Sequence, residues 1–255
     1  MQTSRKICGF VFVFTGMLLA AFAQEDNTKY IDPTIGNVSR FLVPTYPTIQ
    51  LPNQMLRMFP VKEDYISDQV EAFPLQVTTH RSSGIMQMKV SLGEITNDSW
   101  KQKMNIDHDL EVVHPWFYST YLIDDDIRVS FAPGVKSAIY KFEFPDDEMK
   151  NLLIRGKGEM AGERNCDNSL ILKEKIVYKT RGIFSETRIM YAYVYAELCD
   201  ENNQPISGAE FNSEEGKFSV SLSEQAASNV YLKYAVSYIS HEQAKINFDK
   251  ELKGT

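Results

Sequence analysis

The chain has 255 residues, a formal net charge of −7 and a pI near 5.2. No Lys/Arg cluster forms a basic face, so nothing in it favours nucleic acid. A mildly acidic composition is the ordinary consequence of a solvated surface and implies no particular partner.

The N-terminus reads as a secretory leader. Arg5 and Lys6 precede an apolar run from Ile7 to Ala20, and Ala21-Phe22-Ala23 supplies small residues for cleavage before the polar Gln24-Glu25-Asp26. The run is short for a membrane span, so residues 1–23 are expected to be removed after Ala23. That leaves a secreted or periplasmic protein with no membrane attachment and a formal charge of −9. Cys8 goes with the leader and sits too early to be a lipid-attachment site. Cys166 and Cys199 remain, too few for a structural zinc site of their own, and sequence alone does not decide whether they pair.

Residues Tyr30 to Pro60 are studded with proline: "YIDPTIGNVSRFLVPTYPTIQLPNQMLRMFP". Pro33, Pro44, Pro47, Pro52 and Pro60 forbid a helix and interrupt any ladder, which predicts loops with short strand pieces. Ile35, Phe41, Leu42, Ile49, Leu51, Met55, Leu56 and Met58 make the segment apolar enough to be packed.

From Phe73 onward the pattern becomes that of strands. "IMQMKVSLG" (Ile85 to Gly93) alternates Met86, Met88, Val90 and Leu92 with polar residues, which predicts a half-buried strand. "WFYSTYLI", "IRVSFAPG" and "KSAIYKFEFP" follow, punctuated by Asp-rich and Pro-Gly turns. "NLLIRG", "SLILKEKIVYKT", "GIFSETRIMYAYVYAELC", "KFSVSLS" and "NVYLKYAVSYIS" continue the series. Strands at this spacing, without intervening helices, indicate an all-β antiparallel sandwich over residues 24–239.

Polar clusters offer little chemistry. Asp124-Asp125-Asp126, Asp146-Asp147-Glu148 and Glu214-Glu215 lack the spacing of a calcium loop and read as turns. His108 and His114, with Asp107, Asp109 and Glu111 nearby, match no zinc spacing and read as a surface turn. "TTHRSSG" (Thr78 to Gly84) is either a polar hairpin corner or a loop presenting ligand-binding groups. No G-x-S-x-G elbow, phosphate loop or H-E-x-x-H is present.

The chain closes on "SYISHEQAKINFDKELKGT". Ser240 and Gln243 form a capping-box pattern, Ala244, Phe248 and Leu252 recur at four-residue spacing, and Gly254 provides a stop. A helix this short needs a surface for its apolar stripe, either its own sheet or another domain.

Taken together, "YIDPTIG", the run "VPTYPTIQLPNQMLRMFP", "TTHRSSG" and the closing "VYLKYAVSYISHEQAKINFDKEL" resemble the N-terminal domain of bacterial glycoside hydrolase family 92, the exo-acting α-mannosidases. The resemblance implies a β-sandwich of the galactose-mutarotase-like supersandwich type, with an irregular Pro-rich N-terminal segment and a short C-terminal helix. It also implies that residues 240–255 begin a connector to an (α/α)6 catalytic domain lying outside this chain. That domain holds both catalytic carboxylates and the main calcium ligands, so no catalytic or metal-binding residue is assigned here and the chain is expected to be inactive alone. Its partners would be mannose-containing glycans and the helical domain. The resemblance places substrate-supporting roles on Asn37, Val38, Asn53, Arg57, His80, Arg81 and Ser83. Relatives carry Thr-Gly-Gly where this chain has Asn37-Val38-Ser39, and Gly where it has Trp116, changes that narrow or re-aim the cleft. Two alternatives stand beside this reading. One is a standalone carbohydrate-binding module using aromatics such as Trp116 or Tyr118. The other is an interaction subunit whose Ala244–Leu252 face docks on a separately encoded helical protein.

Overall fold

The computed structural model describes residues 27–38, 41, 46–78, 84–165, 169–179, 186–214 and 216–254. The leader, the 79–83 stretch that includes His80, Arg81 and Ser83, and Cys166 lie outside them. Two compact units are distinguished. Of the first, ending at Asp32, the described part is a 3-10 turn, Asn27–Tyr30. The second, Pro33–Thr255, holds all the sheets.

The strands of the second unit are β1 (Gln69–Val70), β2 (Phe73–Gln76), β3 (Ile85–Leu92), β4 (Met104–Asn105), β5 (Val112–His114), β6 (Phe117–Leu122), β7 (Ile127–Pro133), β8 (Ser137–Glu143), β9 (Lys150–Arg155), β10 (Met160–Arg164), β11 (Leu170–Lys179), β12 (Thr187–Cys199), β13 (Glu210–Glu214), β14 (Lys217–Leu222) and β15 (Asn229–Ser237). The helices are α1 (Asn97–Lys101) and α2 (His241–Glu251). Every strand pairing is antiparallel. An eight-stranded sheet runs β10-β11-β12-β15-β8-β7-β6-β5, a five-stranded sheet runs β13-β14-β9-β3-β2, and β1 pairs with β4.

Period-two alternation builds the core. Ala192, Val194, Ala196 and Leu198 of β12 and Val230, Leu232, Tyr234 and Val236 of β15 join Met86, Met88, Leu152, Ile154, Phe218 and Val220 from the other sheet in one buried cluster. Two tyrosines pin the edge strand β2 across that core. Tyr140 donates to the Pro74 carbonyl at 2.7 Å and Tyr234 to the Leu75 carbonyl at 2.6 Å. Pro74 is tolerated because β2 lies at the edge of the sheet, pairing with β3 alone among the described strands. A buried carboxylate makes a third cross-link. Glu174 of β11 accepts from the Met86 amide at 2.6 Å and the Lys157 amide at 2.7 Å. Burial raises its pKa, while the amides pull the other way. Met86 takes φ 49°, a left-handed conformation for which the Glu174 bond compensates.

The alternation in β3 predicts one wet face, and the structure differs. Gln87 and Lys89 are buried as well. Their face is covered by the segment carrying α1, whose Thr96 and Ser99 make a capping box. Lys89 donates to the Gln102 carbonyl, Arg155 to the Trp100 carbonyl, and Lys217 lies 5.1 Å from the Trp100 ring. Burial, with Arg155 nearby, pushes the Lys89 amine down to about 8.

The Pro-rich segment is packed where it touches the sandwich. Ile49 and Met58 form a bridge, and both are fully buried with Leu56. Tyr46 stacks on Phe59 at 4.4 Å. Ile35 and Phe41 depart from the expectation, being 75% and 92% exposed.

The C-terminal helix forms as its capping pattern predicts. The Ser240 side chain accepts from the Gln243 amide, and Gly254 takes φ 91° just beyond the end. Ala244, Phe248 and Leu252 pack with Tyr195 and Ala235 on the outer face of the eight-stranded sheet. The Ala244–Leu252 face is therefore occupied by its own sheet. This corrects the interaction-subunit reading, which needs that face free. No described helix is long and apolar enough to cross a membrane.

Candidate functional site

A polar cluster sits beside β5, the edge strand of the eight-stranded sheet. Asp107 caps a 3-10 turn, His108–Leu110, by accepting from the Asp109 amide at 2.9 Å. That much matches a surface turn. The residues on either side of it do not stay at the surface, because Glu111 turns inward and its side chain is 4% exposed.

Lys62, itself buried, approaches Glu111 Oε1 at 2.8 Å, and the Tyr118 hydroxyl donates to the same oxygen at 2.7 Å. His108 Nδ1 meets Glu111 Oε2 at 3.1 Å, while His108 Nε2 meets the Ser67 carbonyl at 3.0 Å. Lys62, His108 and Tyr118 thus converge on one carboxylate. Burial alone would raise the Glu111 pKa. The Lys62 charge and the bonds from Lys62, Tyr118 and His108 outweigh it and hold the group below the ordinary carboxylate range. Burial and the Glu111 charge push the Tyr118 phenol well up, so it stays a neutral donor.

Next to this cluster lies an open hollow of about 380 Å³, lined by Thr34, Tyr65, Ile66, His108, Glu111 and Val113. A volume of that order suits one small ligand. Its chemistry is specific in three ways. Tyr65, Ile66 and Val113 provide apolar walls. Thr34 provides a hydroxyl, and its turn is the "DPTIG" motif. Glu111 Oε2 has used one acceptor position on His108 and keeps another. A neutral hydroxylated ring with an apolar face fits such a lining. The cluster does not suit calcium, which takes six to eight oxygen ligands, because the Lys62 ammonium, the His108 ring and a phenol already occupy Glu111. Among the described residues no group of three His, Cys, Asp or Glu side chains converges as a metal site.

The residues expected to support substrate fall in two places. Asn37 belongs to the turn that supplies Thr34. Its amide bonds the Thr34 carbonyl at 3.0 Å, and its buried side chain reaches the Pro33 carbonyl at 3.4 Å. Val38 beside it is 67% exposed. Asn53 and Arg57 lie further along the same proline-rich segment, Arg57 beside the C-terminal end of β2. Asn53 is exposed in a tight turn with φ 58°, a conformation that asparagine tolerates. The backbone of Arg57 is clasped by β2, its amide donating to Gln76 Oε1 at 3.1 Å and its carbonyl accepting from Val77 at 3.0 Å. His80, Arg81 and Ser83 lie outside the described residues, but Gly84 after them shows a steric requirement. A Cβ there would come within 1.9 Å of Pro74 Cβ. Of the two candidate stacking aromatics, Tyr118 is fully buried, while Trp116 is 36% exposed and stacks on His114 at 5.0 Å.

The spacing His108-x-x-Glu111 is visible in the sequence. Its inward turn is not, since it depends on Lys62 and Tyr118 from other elements.

The profile of the glycosyl hydrolase family 92 N-terminal domain matches residues 30–249. The chain belongs to that family. No curated protein matches the sequence. Among solved structures, the family 92 inverting mannosidase BT2199 of Bacteroides thetaiotaomicron shares the fold at a TM-score of 0.69 and 18% identity, covering 89% of this chain and 34% of that one. The α-mannosidase BT3965 of the same organism matches at 0.69 and 19%, covering 91% and 36%. Its complex with mannoimidazole matches at 0.67 and 19%, covering 89% and 34%. This family 92 chain therefore spans about a third of the length of those neighbours, and at such identities the likeness carries the fold alone.

Proposed function

We propose that this chain is the cleft-supporting N-terminal sandwich of a secreted α-mannosidase-type hydrolase, and that it does not break glycosidic bonds by itself. The observation that carries the reading is the family 92 match over residues 30–249 in a chain a third the length of its structural neighbours. Inverting hydrolysis needs a general acid and a general base about 6.5–9.5 Å apart around a water. The hollow offers one carboxylate, Glu111, held ionised by Lys62, so it has no proton to give. Among the described residues, burial raises the carboxyl groups of Asp125 and Glu174, and neither lines this hollow. A larger hollow of about 500 Å³ beside α2 includes Glu197 and Asp249. There Tyr195 donates to Glu197 and Lys245 is bonded to both oxygens of Asp249, so each is already engaged.

In this reading the catalytic pair and calcium come from the helical domain, and α2 begins the connector to it. The hollow with Thr34, Tyr65 and Glu111 contributes hydroxyl recognition on the sandwich side, with mannose-containing glycans as the ligand class. Secretion follows from the leader at residues 1–23. The test is to incubate the purified chain with calcium and α-mannosides. No turnover is expected, and turnover that tracks the chain through purification would overturn the claim.

A second reading, a standalone carbohydrate-binding module, draws on the exposed Trp116. Calorimetry of the isolated chain decides between them. Millimolar mannosides should give heat that Glu111→Gln abolishes if the hollow is the site, and heat that Trp116→Ala abolishes if the module reading holds.

A further inference from the structure

The proline-rich segment holds one arginine in a fixed frame. The Met55 and Leu56 amides donate to the Val135 carbonyl at 3.0 and 3.3 Å. The Arg57 amide donates to Gln76 Oε1 at 3.1 Å, and its carbonyl accepts from the Val77 amide at 3.0 Å. The side chain leaves this frame without finding a partner. Its Nε is buried and has no acceptor, and among the described residues the guanidinium makes no other hydrogen bond or ion pair. Buried polar groups are bonded as a rule, and a guanidinium cannot shed its charge to escape the cost.

A second donor lies close by. Tyr238 stands two residues before Ser240, the cap of α2. Burial pushes its phenol up, against the pull of the Gln76 amide and the Arg57 charge, so the phenol keeps its hydrogen. Gln76 is itself locked, with Oε1 on the Arg57 amide and Nε2 on the Met55 carbonyl at 3.0 Å. Its amide faces the phenol oxygen, which leaves the phenol hydrogen for another acceptor. No carboxylate acts on this phenol. Two donors, one of them charged, thus stand together without an anion in a chain of net charge −7.

We propose that Arg57 and Tyr238 form a binding site for a small carboxylate, the guanidinium pairing with its charge and the hydroxyl donating to one of its oxygens. The planar fork of arginine matches a carboxylate and makes shorter, stronger bonds to it than to a neutral group. A sugar hydroxyl, the partner that the family resemblance implies for Arg57, would accept one hydrogen bond and leave the charge unmatched. The carboxylate is either a free organic acid or the acid group of an acidic sugar. The site uses no residue of the hollow beside β5, so the outcome of mannoside binding there does not bear on it.

Nitrogen–proton NMR of the full chain with labelled arginine reads each Nε–H group separately, and Arg57→Lys assigns the signal. Acetate replaces chloride at constant ionic strength, so that screening is unchanged. Acetate is expected to move the Arg57 signal saturably, and methyl α-mannoside to leave it in place. The methyl glycoside of glucuronic acid separates the two sources. Affinity above that of acetate identifies an acidic sugar, and affinity no higher identifies a simple organic acid. Tyr238→Phe keeps the ring and removes the hydroxyl, which should weaken acetate about fivefold, the ordinary worth of one hydrogen bond. An Arg57 signal that ignores acetate, or that responds equally to methyl α-mannoside, overturns the proposal. Unchanged acetate affinity in Tyr238→Phe overturns it as well.

Discussion

Two surfaces of this sandwich are closed by segments from outside the sheets, and they are closed by opposite means. Over the eight-stranded sheet, α2 lays Ala244, Phe248 and Leu252 against Tyr195 and Ala235. Beside β5, a carboxylate is buried under Lys62, Tyr118 and His108. The first contact gains free energy from every apolar atom it hides. The second roughly balances desolvation against pairing, and so contributes geometry more than stability. A domain that only had to fold would need the first kind. The second kind makes sense where one charged oxygen must be held in a fixed place beside a cavity.

The largest expected effect tests the apolar side of the contrast. Phe248 is 3% exposed and meets Tyr195 edge-on at 5.0 Å. Phe248→Ala should cost about 3–5 kcal/mol of unfolding free energy, measured by urea denaturation. A loss below about 1 kcal/mol would mean the helix is not docked as described.

The ionic side should behave differently when cut once and when cut twice. Glu111→Leu strands Lys62 and His108 and should destabilise by about 3 kcal/mol, whereas Lys62→Met combined with Glu111→Leu should recover most of that. Additive losses in the double-mutant cycle would remove the claim that the two act as a pair. The acid limb sharpens the same point. Because the folded Glu111 pKa lies below the ordinary carboxylate range of the unfolded chain, the folded state binds fewer protons than the unfolded one there, and the stabilisation is present above that range and lost as pH falls through the folded value. The wild type should thus lose stability on acidification more steeply than Glu111→Leu, followed by circular dichroism.

The contrast also explains what was legible in the sequence. The α2 stripe is written in consecutive turns of one helix, Ala244, Phe248 and Leu252, so local periodicity finds it, along with its Ser240 cap. The long strands β7, β8 and β12 announce themselves by alternation in the same way. β10 and β13 do not, because "MAGER" and "EFNSE" are short, polar edge strands lacking an apolar face to repeat. The covered outer face of β3 was hidden for another reason. Gln87 and Lys89 are polar, and only the partner segment around Trp100 reveals that they are buried. At the site, "DPTIG" marked the turn that supplies Thr34, while His108 and Glu111 read as turn residues. Their role is set by Lys62 and Tyr118, and no pattern along the chain records who meets whom across the fold.

The smallest effect tests whether the two closures share a frame. Tyr140 and Tyr234 hold the Pro74 and Leu75 carbonyls of β2, the strand that clasps Arg57 at one end and approaches the Ser67 segment through β1 at the other. Each Tyr→Phe change keeps the ring and leaves one buried carbonyl without its donor, for a cost of about 1–2 kcal/mol. If β2 is a common strut, the pair of substitutions should also speed amide exchange at Val77 and Gln69, both outside the tyrosines' own contacts. Exchange unchanged at those positions would mean that the tyrosines stabilise only the core, and that the hollow is held by its ionic cluster alone.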